Sequence, residues 1–137
     1  MLRAWTGRGL RAFRDPPFLF ALGAALLAWL LPEPGIHLAW YRLLLLALLE
    51  ELVFRAGLQN LLARSGLIPG RLGPISAANL AASALFAGLH LVHQPLAWAV
   101  AVFFPSLVFG WAWDRHRHLL PCWALHFAYN CFFFYRI

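Results

Sequence analysis

Residues 39–62 read AWYRLLLLALLEELVFRAGLQNLL, a run long enough to cross a bilayer that nonetheless carries Glu50, Glu51 and Arg55 near its middle. At about 1.5 Å per residue such a helix covers a hydrocarbon core of about 30 Å. A charged group at mid-span costs about 2.5–3.5 kcal/mol on insertion scales, so a cluster of three needs compensation from somewhere. Glu51 and Arg55 are four residues apart, share a helix face and can form an ion pair. Glu50 lies about 140° around the helix from Arg55 and has no partner by this local route. The run thus separates a braced acid from a free one, and a buried unpartnered carboxyl is suited to take up and return a proton.

The chain around this run is apolar throughout. It is 63% hydrophobic and 12% charged over 137 residues, against about 45–50% and 25% in soluble domains. A small soluble domain leaves too much surface exposed to hide that excess, which excludes a water-soluble globule. Seven Trp and 12 Phe exclude disorder. The net charge is +6 and every basic residue is Arg. The arginines sit in short segments between apolar runs, so the basic excess reads as membrane topology and not as nucleic-acid binding. Cys122 and Cys131, nine residues apart, fall on opposite faces of a helix and cannot form an intrahelical disulfide.

Five runs emerge. A basic segment over residues 1–15, with Arg3, Arg8, Arg11 and Arg14, precedes Asp15-Pro16-Pro17 and an apolar run from Phe18 to Leu31. No small-residue cleavage site follows it, so it is expected to be an uncleaved anchor. At about 21 Å it is short for a span. The second run, Ala39 to Leu62, ends at a loop rich in Gly, Pro and Arg, and the others run about Ile75–Leu91, Leu96–Trp113 and Leu119–Tyr135. Loops 32–38 and 92–95 hold no arginine, whereas the amino terminus and the Arg64/Arg71 and Arg115/Arg117 loops alternate with them. The expected architecture is one all-α domain over 1–137, a polytopic membrane bundle of about five transmembrane helices with the amino terminus cytoplasmic. The lipid bilayer is its first partner. The seven Trp mostly lie near run ends, as an interfacial belt would.

Polar residues also form stripes on other runs. Asn79, Ser83, Phe86 and His90 share one helix face, and His126 and Asn130 share another with Cys122 one turn earlier. Three stripes together could line one wet cavity. Singly, Asn79, Ser83, His90 and His126 read as helix-contact hydrogen bonds, and Glu51 with Arg55 as a structural brace. Taken jointly with Glu50 they read as a site. His93, His116 and His118 read as solvated loop residues.

These residues resemble the CPBP family, the CAAX-protease and bacteriocin-processing (Abi) group of intramembrane endopeptidases that includes the type II CAAX prenyl endopeptidases. Its Glu-Glu-x-x-x-Arg motif is similar to Glu50-Glu51-Leu52-Val53-Phe54-Arg55, its Phe-x-x-x-His to Phe86-Ala87-Gly88-Leu89-His90, and its His-x-x-x-Asn to His126-Phe127-Ala128-Tyr129-Asn130. The resemblance covers about residues 42–131 and implies hydrolysis of a peptide bond near the C-terminus of a membrane-associated protein. The small size fits processing of C-terminal sorting tails at least as well as prenyl processing, in a multi-pass protein of a bacterial-type cytoplasmic membrane. By carry-over Glu50 and His90 hold and deprotonate the water, His126 and Asn130 donate to the oxyanion, and Glu51, Arg55 and Phe86 support them. No cofactor is expected on this reading.

A zinc-dependent version would use Glu50, His90 and His126 as ligands, although neither His has the close spacing that preforms a zinc site. A small transporter or scaffold using Glu50 as a carrier or packing group is the non-enzymatic rival. One geometric condition attaches to any shared site. His90 lies about 22 Å along its run and His126 about 10 Å along its own, from the same side. The two meet only if the third helix projects or tilts.

Overall fold

The computed structural model describes residues 9–135, so Arg3, Trp5 and Arg8 lie outside the described residues. After a 3-10 turn at Ala12–Arg14, helix α1 (Pro16–Gly23) begins with proline at its first positions, where the backbone donor has no helical partner. It continues as a 3-10 helix over Ala24–Leu30. Because 3-10 winding rises about 2.0 Å per residue, the first run reaches about 26 Å, longer than an all-α reading allows.

The second run forms a continuous rod in three pieces: α2 (Trp40–Glu51), a π-helix (Leu52–Gln59) and α3 (Asn60–Ser65). Gly66, at φ 69°, ends it in the left-handed conformation. The three charged residues therefore straddle the point where α winding gives way to π, a change common at functional sites. The loop that follows contains a small antiparallel hairpin not anticipated from the sequence, β1 (Arg71–Leu72) with β2 (Ile75–Ser76). Gly73, at φ 58°, supplies the positive φ of its two-residue turn. The third run accordingly starts later than Ile75, as α4 (Ala77–His90), where the Ser76 hydroxyl accepts from the Asn79 amide as N-cap.

Helices α5 (Leu96–His116) and α6 (Leu119–Phe134) complete the chain. They are joined through Arg117, at φ 49°, and His118, whose Nδ1 accepts from the Leu120 amide. His118 is thus a buried cap, and His116 lies half-buried edge-on to the Phe18 ring at 5.6 Å, so neither is the solvated loop residue expected. A short connection leaves few backbone acceptors for the first N–H groups of α6, and a ring nitrogen serves as one.

The architecture is all-helical but for that hairpin. Among the described residues α5 alone is long and apolar enough to cross a membrane by length and composition, and Pro16–Leu30, Ala77–His90 and Leu119–Phe134 are shorter apolar helices. The outer faces are unusually greasy. Phe20, Leu30, Val53, Leu61 and Phe104 are all more than half exposed, a surface suited to lipid contact. Inside, Phe18, Phe109, Ala112, Trp113, Cys122 and Leu125 form the core that joins α1, α5 and α6. Cys122 therefore packs in the core and does not continue the polar stripe of His126. Trp113 is likewise buried, and Trp123 donates to the Leu44 carbonyl at 2.9 Å, so these two are packing residues and not part of a belt.

Candidate active site

Two polar assemblies occupy the bundle, one dry and one open. The dry one centres on Arg55, which is fully buried. Its Nε donates to Glu51 at 3.2 Å, one terminal nitrogen to Gln59 at 3.1 Å and to the Ser83 hydroxyl at 3.4 Å. The other donates to the Ser106 carbonyl at 3.0 Å and hydroxyl at 2.6 Å. Ser83 in turn donates to Asn79, whose amide donates to the Leu107 carbonyl, and Gln59 donates to the Gly110 carbonyl and Asp114. A buried guanidinium with every side of its fork occupied can hold three elements together, here the π-helix, α4 and α5. Gly110 makes this possible, because a Cβ there would overlap the Asn79 amide and lie 2.8 Å from the Gln59 carbonyl oxygen.

Asn79 and Ser83 consequently belong to this network and do not line a wet cavity with His90. The stripe they share with His90 does face the bundle interior, but its lower half is closed by Arg55 and α5. Phe86, 3% exposed, marks the division. Its ring packs edge-on against Phe54 at 5.0 Å and against His126 at 6.0 Å, and lies tilted against His90 at 4.8 Å.

Beyond Phe86 lies a cavity of about 630 Å³ lined by Glu50, Phe86, His90, His126 and Asn130 together with apolar side chains. His126 is its best-anchored member. Nδ1 lies 2.9 Å from Glu51 and Nε2 3.4 Å from Glu50, while the ring stacks on Phe109 at 4.6 Å. Glu51 already accepts from Arg55, so as an acceptor it fixes the His126 proton on Nδ1. His90 Nδ1 lies 2.9 Å from the Phe86 carbonyl, which can only accept, so Nε2 is the unprotonated nitrogen left for the cavity. That same bond turns the His90 ring back toward the amino-terminal end of α4, as helical side chains tend to lie. This explains how His90 reaches the cavity despite its distance along the helix. The Asn130 side chain makes no hydrogen bond among the described residues, and its amide is available to a bound group.

The separation of the two acids read from the sequence is present, with an addition. Glu51 is buried and holds Arg55 on one oxygen and His126 on the other, whereas Glu50 stands at the cavity wall, about a third exposed. The second partner of Glu51, His126, comes from α6 and has no signature in local spacing. Gln59 could have been noticed, since it continues the Glu51–Arg55 stripe by four residues. Phe109, Ser106 and Gly110 carry no motif signal.

Among the described residues no three His, Cys, Asp or Glu side chains are grouped so as to hold a metal ion. Glu50, His90 and His126 line the same cavity, and the Phe86 ring packs against both imidazoles.

The profile of a family described as Type II CAAX prenyl endopeptidase Rce1-like matches residues 31–132. That stretch contains all four cavity-lining candidates and the whole Arg55 network. No curated protein and no solved structure matches the chain.

Proposed function

The chain belongs to the Rce1-like family of type II CAAX prenyl endopeptidases, membrane proteases, and we propose that it is an intramembrane endopeptidase in which Glu50 activates the attacking water. The observation that carries this reading is the convergence of Glu50, His90, His126 and Asn130, from three separate helices, on one cavity. A bundle of five spans with the amino terminus cytoplasmic is part of the same proposal, as are peptide or protein substrates cut near a C-terminal processing signal.

The water needs two acceptors, and the cavity offers them. The Glu50 carboxylate takes the proton that leaves as oxygen attacks the carbonyl, and His90 Nε2 accepts the other hydrogen and orients the nucleophile. The tetrahedral oxyanion then needs donors. Asn130 supplies its amide, and His126 supplies Nε2–H when the ring carries both protons, with Glu51 holding Nδ1. The proton on Glu50 goes to the departing amine.

Reconstituted protein with a single-pass reporter tests the proposal. Glu50→Gln preserves size but cannot take the proton, so cleavage should vanish while insertion stays normal. Cleavage by that variant at the wild-type rate would refute the general-base role.

A further inference from the structure

The cavity is deep at one end of the bundle and open at the other. Its floor residues Phe86, Phe109 and His126 are at most 5% exposed, whereas Ile36 on its wall is 58% exposed. The exposed wall comes from the connection over residues 31–39 and from Gln94 just before α5. The Tyr135 hydroxyl donates to the Leu38 carbonyl, which ties the end of α6 to that same mouth.

The arginines gather at the opposite end. Arg115 donates to Asp15 at 2.9 Å, joining the Arg11 and Arg14 segment to the α5–α6 connection. The hairpin with Arg71 precedes α4, whose first turn bonds to Leu107 in the later half of α5. In contrast Arg42, one turn into α2, is the sole described arginine near the mouth. By the positive-inside rule the arginine-rich end is cytoplasmic. The mouth then faces out.

The walls say what enters. The cavity lining holds no Lys or Arg, carries the Glu50 carboxylate, and is otherwise mainly aliphatic and aromatic, including Leu43, Trp98 and Phe133. An acidic chain would meet repulsion there, while an apolar or basic one would not.

We infer that this site receives its substrates from the extracytoplasmic face, as mainly apolar, non-acidic segments of exported proteins at the outer leaflet. The assignment rests on the protease reading above for its chemistry, but its orientation can be read without activity. Ile36→Cys and Leu72→Cys, placed in the full chain in intact cells, are treated with a membrane-impermeant maleimide, with the parent chain and its own two cysteines as the blank. Ile36→Cys should label in intact cells and Leu72→Cys only after permeabilisation; any other pattern overturns the assignment. A second arm uses single-pass reporters whose segment flanking the span is randomised and placed on either side of the membrane. Tag release should occur from the extracytoplasmic library, depleted of Asp and Glu in the cleaved members, with no release above the Glu50→Gln background from the cytoplasmic one. Release from the cytoplasmic library alone overturns this inference and leaves the protease reading standing. Release from neither overturns both.

Discussion

Glu51→Gln should damage the fold where Glu50→Gln damages only the chemistry, although the two acids are neighbours in sequence. The Glu51 carboxylate is fully buried and accepts from Arg55 on one oxygen and from His126 on the other. An amide has one acceptor oxygen. It can satisfy either Arg55 or His126, and its NH2 then faces the donor of the other, inside a network whose Glu51, Arg55 and Gln59 are fully buried. Removing one partner of a buried ion pair typically costs about 3–5 kcal/mol, because the charge left behind stays desolvated. That is a large share of a total stability of about 5–15 kcal/mol. Glu50 in contrast stands at the cavity wall, and its contact with His126 is 3.4 Å, so its amide replacement should leave folding nearly unchanged. The assay pairs the yield and thermal midpoint of purified protein with cleavage of a reconstituted reporter. Wild-type stability in an inactive Glu51→Gln, together with full activity in Glu50→Gln, would exchange the roles of the two acids and refute the reasoning.

Asn130→Ala should fold normally, since its amide bonds to no described residue, yet lose about 100- to 1,000-fold in turnover with little change in KM, as removal of one oxyanion donor does. Wild-type turnover in a well-inserted variant would remove it from the site. Gly110→Ala forces a methyl group into Asn79 and Gln59, and a loss of about 1–3 kcal/mol from overpacking should appear as a lowered thermal midpoint. An unchanged midpoint would mean that α4 and α5 separate easily. Exhaustive chelation should leave activity intact, and stoichiometric zinc lost in step with activity would instead make ligands of Glu50, His90 and His126. At the arginine-rich end, the Arg115 hydrogen bond holds the Asp15 carboxyl below its usual range. A depressed folded-state value means that the tie contributes above the unfolded carboxyl's pKa and is lost as pH falls through the folded one. Acid should therefore raise amide hydrogen exchange over residues 11–14 in the wild type, corrected for the intrinsic pH dependence of exchange, whereas Asp15→Asn should show that raised exchange already at neutral pH and respond little to acid.

The helical architecture, the place of each run and the division of Glu50 from Glu51 were legible in the sequence, because each follows from hydrophobic run length or from spacing within one helix. What crosses between helices was not. His126 meets Glu51 across 75 positions and Arg55 meets Ser106 across 51, and periodicity along a single element says nothing of which face a distant element will oppose. The polar stripe of α4 shows the consequence. Asn79, Ser83 and His90 lie on one face as spacing requires, but the same face is sealed by Arg55 below Phe86 and opens to the cavity above it. A stripe defines a direction; the neighbour decides whether water is there. On the proposed mechanism the division also gives the acids their roles. A carboxylate locked between a guanidinium and an imidazole cannot cycle a proton without breaking the network that holds three helices, so that mechanism assigns proton transfer to Glu50, which touches the network only through His126 at 3.4 Å. Adjacent residues on a helix point about 100° apart, which places one acid in the brace and the other at the cavity wall. The pair Glu50-Glu51 is therefore the shortest arrangement in which one helix can supply both the rigid support of a site and its mobile proton.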